Sequence, residues 1–212
     1  MSGRSGPRGP YRKGVERRNE IVRTAAQMFS ENGYVNSSMR ELAKRVGLTQ
    51  TGFLHHFADK EELLVEVLGL RDGSIAQALE TSTAPDVAAR SREVARHAVE
   101  NDGLTSLFVI LAAEAASEDH PAHAYFTDHY RAAQEKTLER DDELSVDASS
   151  EVSPEMVAAL GTAVLDGLLL QRRYRDDLDI VAAVDAFWRL VAAARHTWSQ
   201  PPAEATSERP GD

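Results

Sequence analysis

The segment Gly47-Leu48-Thr49-Gln50-Thr51 holds residue types that read nucleic-acid bases, in an order suited to the start of a helix. A glutamine amide both donates and accepts, so Gln50 can pair two groups on an adenine edge. Thr49 and Thr51 each offer a hydroxyl for hydrogen bonding and a methyl that can meet a thymine methyl. Such contacts require a helix that enters the major groove with its N-terminal residues toward the bases. Phe53 and Phe57, on one face of an expected helix over Gln50–Phe57, supply the apolar side that pins it to a core.

Other chemistry is thinner. Glu118, Asp119, His120, His123 and His129 are donor types for a metal. His120 and His123, however, straddle Pro121 at a helix start, and no second well-spaced pair completes a site. The expectation is a solvated polar face, with no metal and no cofactor. Neither a Gly-rich phosphate loop, a cysteine nucleophile, a nucleophile elbow nor a paired-histidine zinc motif is present, which leaves no ground for reading an enzyme.

A net charge of −10 would by itself disfavour a DNA partner. Its distribution reverses that inference. Residues 1–60 carry 11 Lys+Arg against 5 Asp+Glu, and residues 61–212 carry 13 against 29, leaving the two parts at +6 and −16. A basic recognition module on an acidic body follows. Arg4, Arg8, Arg12, Lys13 and Arg17 crowd toward the start, so a basic tail would account for part of the asymmetry. With 42% hydrophobic residues the chain can bury a core. The absence of cysteine excludes disulfide and thiolate chemistry and fits a reducing cytoplasm. No apolar run reaches about 18 residues, so no membrane partner is expected. Residues 1–14 are basic and rich in Gly and Pro, lack the apolar core of a secretory signal, and read as a flexible arm.

These residues must be positioned by helices, because apolar residues recur at helical spacing almost throughout. A first helix is expected over Val15–Glu31, with Ile21, Ala25, Met28 and Phe29 inward and Asn32-Gly33 as its stop. Ser38 and Glu41 have capping-box spacing at the start of a second, which Gly47 ends. Val46-Gly47-Leu48-Thr49 is then the short glycine-containing turn of a helix-turn-helix, with Thr49 as N-cap of the third helix. A fourth follows Asp59 and carries Leu63, Leu64, Val67 and Leu68. Five more are expected: from Pro85 to about Glu100, Leu104 to Ser117, Pro121 to about Glu143, Pro154 to about Tyr174, and Ile180 to Trp198. The polar stretch 145–153 and the residues from Pro201 onward read as loop and loose tail.

Taken together, Ala25-Ala26-Gln27-Met28-Phe29-Ser30-Glu31-Asn32-Gly33-Tyr34, Ser38-Met39-Arg40-Glu41-Leu42-Ala43, Gly47-Leu48-Thr49 and Phe57-Ala58-Asp59-Lys60-Glu61-Glu62-Leu63-Leu64 closely resemble the DNA-binding domain of TetR-family transcriptional regulators. The resemblance implies an all-α protein of about nine helices. A three-helix DNA-binding domain (15–60) would join, through a fourth helix, a ligand-binding and dimerisation domain (61–200), with a tail over 201–212. It implies a homodimer that binds palindromic double-stranded operator DNA as a repressor and is released by a small-molecule effector. An activator, or a regulator answering a protein partner or no effector, is the alternative.

Residue by residue, the resemblance places Arg40 against a base or a phosphate, with guanine its best partner. It places Lys60 at the start of the fourth helix, where a cation and backbone N–H groups can meet a phosphate. Ser37 and Ser38 could add hydroxyl contacts, and for Ser38 a plain N-cap is the other role. The family usually has threonine at Gly52, tyrosine at Leu54 and an aromatic residue at His56. His55 and His56 could replace the lost tyrosine hydroxyl on a phosphate, or His55 could be a solvated or core-edge side chain. These departures bear on which operator is read, not on the identity of the domain.

In the family the last two long helices pair across the dimer. Here that stripe would comprise Val157, Leu160, Gly161, Val164 and Leu168, then Val184, Phe187, Trp188 and Val191, unless these are only the monomer's core. The effector site would be walled by Phe108, Leu111, Tyr125, Phe126 and Tyr130, with Glu114, Asp128 and His129 as polar groups. Glu114 would either anchor a cationic ligand or pair with Arg92 or Arg131.

Overall fold

The computed structural model describes residues 10–139 and 152–198. Those residues form nine helices and no strand: α1 Pro10–Asn32, α2 Met39–Arg45, α3 Gln50–Leu54, α4 Lys60–Glu80, α5 Val87–Glu100, α6 Asp102–Glu114, α7 His123–Leu138, α8 Pro154–Gln171 and α9 Ile180–Trp198. The fold is all-α, as the helical periodicity requires. None of the described helices is long and apolar enough to cross a membrane.

Two boundaries differ from expectation in a way that matters. α1 starts at Pro10, so residues 10–14 are helical and the expected arm over 1–14 does not extend that far. Proline fits a first helical turn because the N–H it lacks has no partner there. α3 stops at Leu54, short of the expected Phe57. His56 N–H bonds to Phe53 O at 2.9 Å, a tightened last turn that directs the chain toward α4. The arm before residue 10, the loop around 145–151 and the tail after 198 lie outside the described residues.

Polar caps and left-handed glycines punctuate the N-terminal helices. Ser38, Thr49 and Asp59 each accept a backbone N–H bond at the start of α2, α3 and α4, from Glu41 at 3.2 Å, Gly52 at 3.0 Å and Glu62 at 2.7 Å. Gly33 and Gly47 take φ of 77° and 68°, a conformation open to glycine at little cost, where α1 and α2 end.

The core has two parts. One gathers Ile21, Met28 and Phe29 of α1, Leu42 of α2, Phe53 of α3 and Leu63, Leu64 and Leu68 of α4, and continues into Leu107, Phe108 and Leu111 of α6 and Phe126 of α7. Burying each such side chain contributes about 2 kcal/mol, so this cluster ties the helix-turn-helix firmly to the body. A close approach reinforces the joint, since a Cβ placed on Gly103 of α6 would lie 3.2 Å from Ser30 Cβ of α1. The other part joins Ala95 and Ala98 of α5, Val157 and Leu169 of α8, and Ile180, Val184 and Trp188 of α9.

Candidate nucleic-acid interface

α3 presents its first residues to solvent and buries its opposite side. Thr49, Gln50 and Thr51 are exposed, while Phe53 and Phe57 are fully buried with ring centroids 6.2 Å apart. The Thr49 hydroxyl oxygen is engaged as the cap acceptor, which leaves its methyl and its hydroxyl proton for a partner. Gly52 is tightly fitted, because a Cβ there would stand 3.2 Å from the capping Thr49 oxygen. Arg40, in the first turn of α2, is exposed with no ion pair among the described residues. Ser38 is exposed and serves as N-cap. His55 is exposed and ends α3, and His56 is half-buried behind it.

Ser37 is the exception. It is buried, and its hydroxyl donates to Gly33 O at 2.8 Å, so it braces the end of α1 and offers no DNA contact.

Lys60 opens α4 but is not a free-standing charge. Its ammonium lies 4.3 Å from the Tyr34 ring centroid and donates to Val35 O at 3.2 Å. Partial burial holds its pKa below the usual lysine value. Tyr34 in turn packs edge-on against Phe29, with centroids 5.4 Å apart. The lysine is therefore held at a defined place beside α2 and α3.

Two neighbouring arginines of α1, which sequence reading assigned only to bulk charge, hold the far ends of the motif. Arg17 donates to the carbonyl of Val46, the C-cap of α2, and pairs with Glu20 at 2.5 Å. Arg18 donates to the carbonyl of His56 just past α3, pairs with Glu62 at 2.8 Å and Glu66 at 3.0 Å, and lies 4.0 Å over the Phe57 ring. A cation at a helix C-terminus is favourable because the terminal carbonyls and the dipole leave negative charge there. Each arginine thus fixes one helix of the helix-turn-helix from behind. Arg45 is likewise committed internally, to Glu31 at 3.2 Å and Glu41 at 3.5 Å. Within residues 10–60, Lys13, Arg23, Arg40 and Lys44 are the exposed cations that carry no such pair among the described residues.

Residues 21–67 match the family model for bacterial regulatory proteins of the tetR family. Over this segment the chain is a tetR-type DNA-binding domain. Among characterised relatives, the transcriptional repressor KstR2 of Mycolicibacterium smegmatis is 35% identical over 77 residues, 34% of this chain and 37% of that protein. The chain thus spans little more than a third of that relative. KstR2 of Rhodococcus jostii is 26% identical over 191 residues, 90% of this chain and 83% of that one. In three dimensions, a TetR-family transcriptional regulator from Streptomyces coelicolor shares the fold with a TM-score of 0.67, at 19% identity, over 86% of this chain and 83% of its own.

The body departs from the sequence expectations at several residues. Phe108, Leu111 and Phe126 are all but inaccessible and belong to the core, so they are not free walls. Glu114 is exposed at the end of α6, and no ion pair joins it to Arg92 or Arg131, which bind Asp185 and Asp128. It follows Leu111 by only three residues, yet it falls where α6 leaves the core. Tyr125, His129 and Tyr130, by contrast, meet polar groups not foreseen. Asp72 of α4 accepts from Tyr125 at 2.6 Å and lies 2.9 Å from His129 Nδ1, and Tyr130 bonds Asp166 of α8. His120 and His123 use ring nitrogens on backbone groups of the α6–α7 turn. No group of three potential metal donors stands together among the described residues.

Of the expected dimer stripe, Val157, Val184 and Trp188 are buried in the monomer's second core, against α5. Gly161 is where it is because of that packing, since a Cβ there would sit 2.9 Å from the Trp188 ring. Leu168, Phe187 and Val191 are half-buried against the same core. Leu160 is 49% exposed, and Val164 is half-buried. Met156, Leu160 and Leu170 of α8 and Leu190 of α9 are the large apolar residues left facing outward, Leu190 at 70% exposure.

Proposed function

We propose that this protein is a homodimeric TetR-family transcriptional repressor that holds a palindromic operator through α3 of each protomer and leaves it when a small molecule binds in the body. The observation that carries the reading is the presentation of Thr49, Gln50 and Thr51. They are exposed at the N-terminal end of a helix anchored by two buried phenylalanines and braced by Arg17 and Arg18. That is the arrangement in which side chains reach base edges in a major groove. Gln50 reads an adenine edge, Thr49 and Thr51 add hydroxyl or methyl contacts, Arg40 takes a base or phosphate of the same half-site, and Lys60 takes a phosphate. His55 and His56 stand close enough in sequence to α3 to meet the flanking backbone.

One such module reads one half-site, and two need a twofold assembly with recognition helices about 34–36 Å apart or a multiple of it. The outward apolar residues of α8 and α9 support pairing there, centred on Met156, Leu160, Val164, Phe187 and Leu190. Contiguous apolar surface of this kind marks an association site. Repression, rather than activation, is supported by the function carried in the names of the KstR2 relatives.

The effector reading rests on α4. This helix begins at the DNA-side lysine and ends in the body, where Asp72 is held by α7. A ligand that binds one arrangement of α4 better than another shifts the spacing of the two recognition helices. The test is protection of the promoter beside the gene by the purified protein. A protected palindrome with one dimer bound is expected. Binding no tighter to that promoter than to random DNA of the same length overturns the proposal.

A further inference from the structure

A polar cluster lies inside the body where α4, α6, α7 and α8 meet. Its centre is Arg71, the one arginine whose side chain is almost wholly buried among the described residues, at 7% exposure. Its guanidinium lies 3.7 Å over the Phe108 ring, and Nη1 donates to Asp72 Oδ1 at 3.1 Å. Its Nε is buried and has no acceptor. A buried cationic N–H without a partner is costly, so natural cores rarely leave one without a reason.

We propose that the missing acceptor is the carboxylate of a small organic acid, and that this acid is the effector. The proposal rests on the reading of the protein as a ligand-released repressor, and names the chemistry of the ligand. The neighbours decide the sign. Asp72 is already committed, through Oδ1 to Arg71 and through Oδ2 to the Tyr125 hydroxyl and His129 Nδ1. Two potential cations, Arg71 and His129, therefore share one carboxylate. A third cation entering as ligand would have to compete with both for Asp72. Asp166, from α8, is a second carboxylate of the cluster and is engaged by the Tyr130 hydroxyl. Burial pushes its carboxyl above the usual aspartate pKa, with Tyr130, His129 and Arg71 opposing that only in part. An incoming carboxylate, in contrast, would supply the acceptor that the buried Nε–H lacks, and arginine binds carboxylates through two parallel bonds.

The apolar part of the ligand also has its counterpart. Tyr125 and Tyr130, both partly accessible, flank His129 with ring centroids 5.9 and 5.4 Å away. Tyr125 is in addition a wall of a cleft of about 620 Å³ between α1 and α4, so the cluster adjoins open volume. A carboxylate on Arg71 competes with Asp72 for the same guanidinium. Asp72 is also the group through which α4 is tied to Tyr125 and His129 of α7. Ligand binding would thus act on the helix that leads to the recognition motif.

The experiment uses the full chain bound to its own promoter fragment, with phenylacetate, phenylacetamide and phenethylamine as probes of one shape and three charges. Each is titrated by calorimetry and by release of the fragment. Phenylacetate is expected to bind at least tenfold tighter than the amide and to release the DNA, with the amine weakest. Arg71→Gln should abolish the preference for the acid over the amide. Arg71→Lys keeps the charge but not the fork, and should retain a reduced preference. Thermal melting of both variants shows whether they are folded. Equal binding of acid and amide by the unaltered protein overturns the proposal without any variant. Release by the amine alone overturns the carboxylate and keeps the effector reading. A fragment that no probe releases overturns both, and a fragment never bound overturns the repressor reading itself.

Discussion

Arg18 of α1 and Glu62 of α4 are joined by a 2.8 Å ion pair, and the same guanidinium donates to the carbonyl of His56 just past α3. One side chain therefore connects the three helices whose relative placement sets where Gln50 lies. Arg18→Met should keep the packing over Phe57 while removing every one of these polar links. The pairs are half-exposed, so the loss of stability should be modest, about 1 kcal/mol. Operator affinity should fall more than stability does, by about tenfold, which is about 1.4 kcal/mol of binding. Calorimetric melting and operator titration separate the two, and an unchanged operator affinity would show that the brace does not position α3.

Acid should weaken the same brace. The hydrogen bond from Arg18, and after it the N–H of Ala58, holds the Glu62 carboxyl below its usual pKa. For Asp72, burial pushes up, but His129 and Tyr125 outweigh it and the net direction is again downward. A carboxyl whose folded-state pKa lies below its unfolded value stabilises the fold fully above the unfolded value. That contribution is lost as pH falls through the folded one. Stability from these groups should therefore be intact at neutral pH and decline below about pH 4. Asp72→Asn should flatten part of the decline, and an identical acid profile for wild type and variant would contradict the assignment.

Gln50→Ala should relax discrimination at the base pair Gln50 reads, at a cost of about 1–3 kcal/mol on the best operator and little on random DNA. Equal loss on both would mean that Gln50 touches only backbone.

Lys60→Ala should instead weaken binding to all sequences and lower the salt-dependence slope by about one. Tyr34 holds the Lys60 ammonium in place, so Tyr34→Leu should reproduce part of that loss on DNA while Lys60 is still present. A Tyr34→Leu protein that binds operator as wild type does would remove the positioning role.

Leu190 and Trp188 lie close together in α9 and should behave in opposite ways. Leu190→Glu puts a charge on the outward face and is expected to give a folded monomer, seen by light scattering, with operator affinity greatly reduced. Trp188→Ala opens a cavity beside Gly161 in the monomer's core and should cost about 3–5 kcal/mol of stability. A Leu190→Glu protein that stays dimeric would move the interface elsewhere.

Much of this molecule can be read locally, and the reason shows in the caps. Ser38, Thr49, Asp59, Gly33 and Gly47 act on groups within a few residues of themselves, so their type and spacing announce the helix ends. Apolar periodicity likewise points out the buried faces of α1, α2 and α4. What escaped was non-local. Arg17 and Arg18 look like any charged pair on a helix, because their partners Val46, His56, Glu62 and Glu66 are distant in sequence. Glu114 fits an inward stripe by spacing, and only the place where α6 leaves the core exposes it. Arg71 lies among apolar residues of α4 with no sequence sign that α6 would bring Phe108 under its guanidinium. For the α8–α9 stripes, periodicity locates an apolar face but cannot say which side of a broad one meets the monomer and which a partner.

The single core shared by α1, α4, α6 and α7 bears on how such regulators can be recombined. A reading head cut from this chain after Lys60 and grafted onto a foreign sensor would carry Ile21, Met28 and Phe29 without the α6 side chains that cover them. It would also lose the seat that Gly103 leaves for Ser30. Chimeras with new input specificity are therefore better made by altering side chains around Arg71 within the native scaffold than by exchanging whole segments at the apparent boundary.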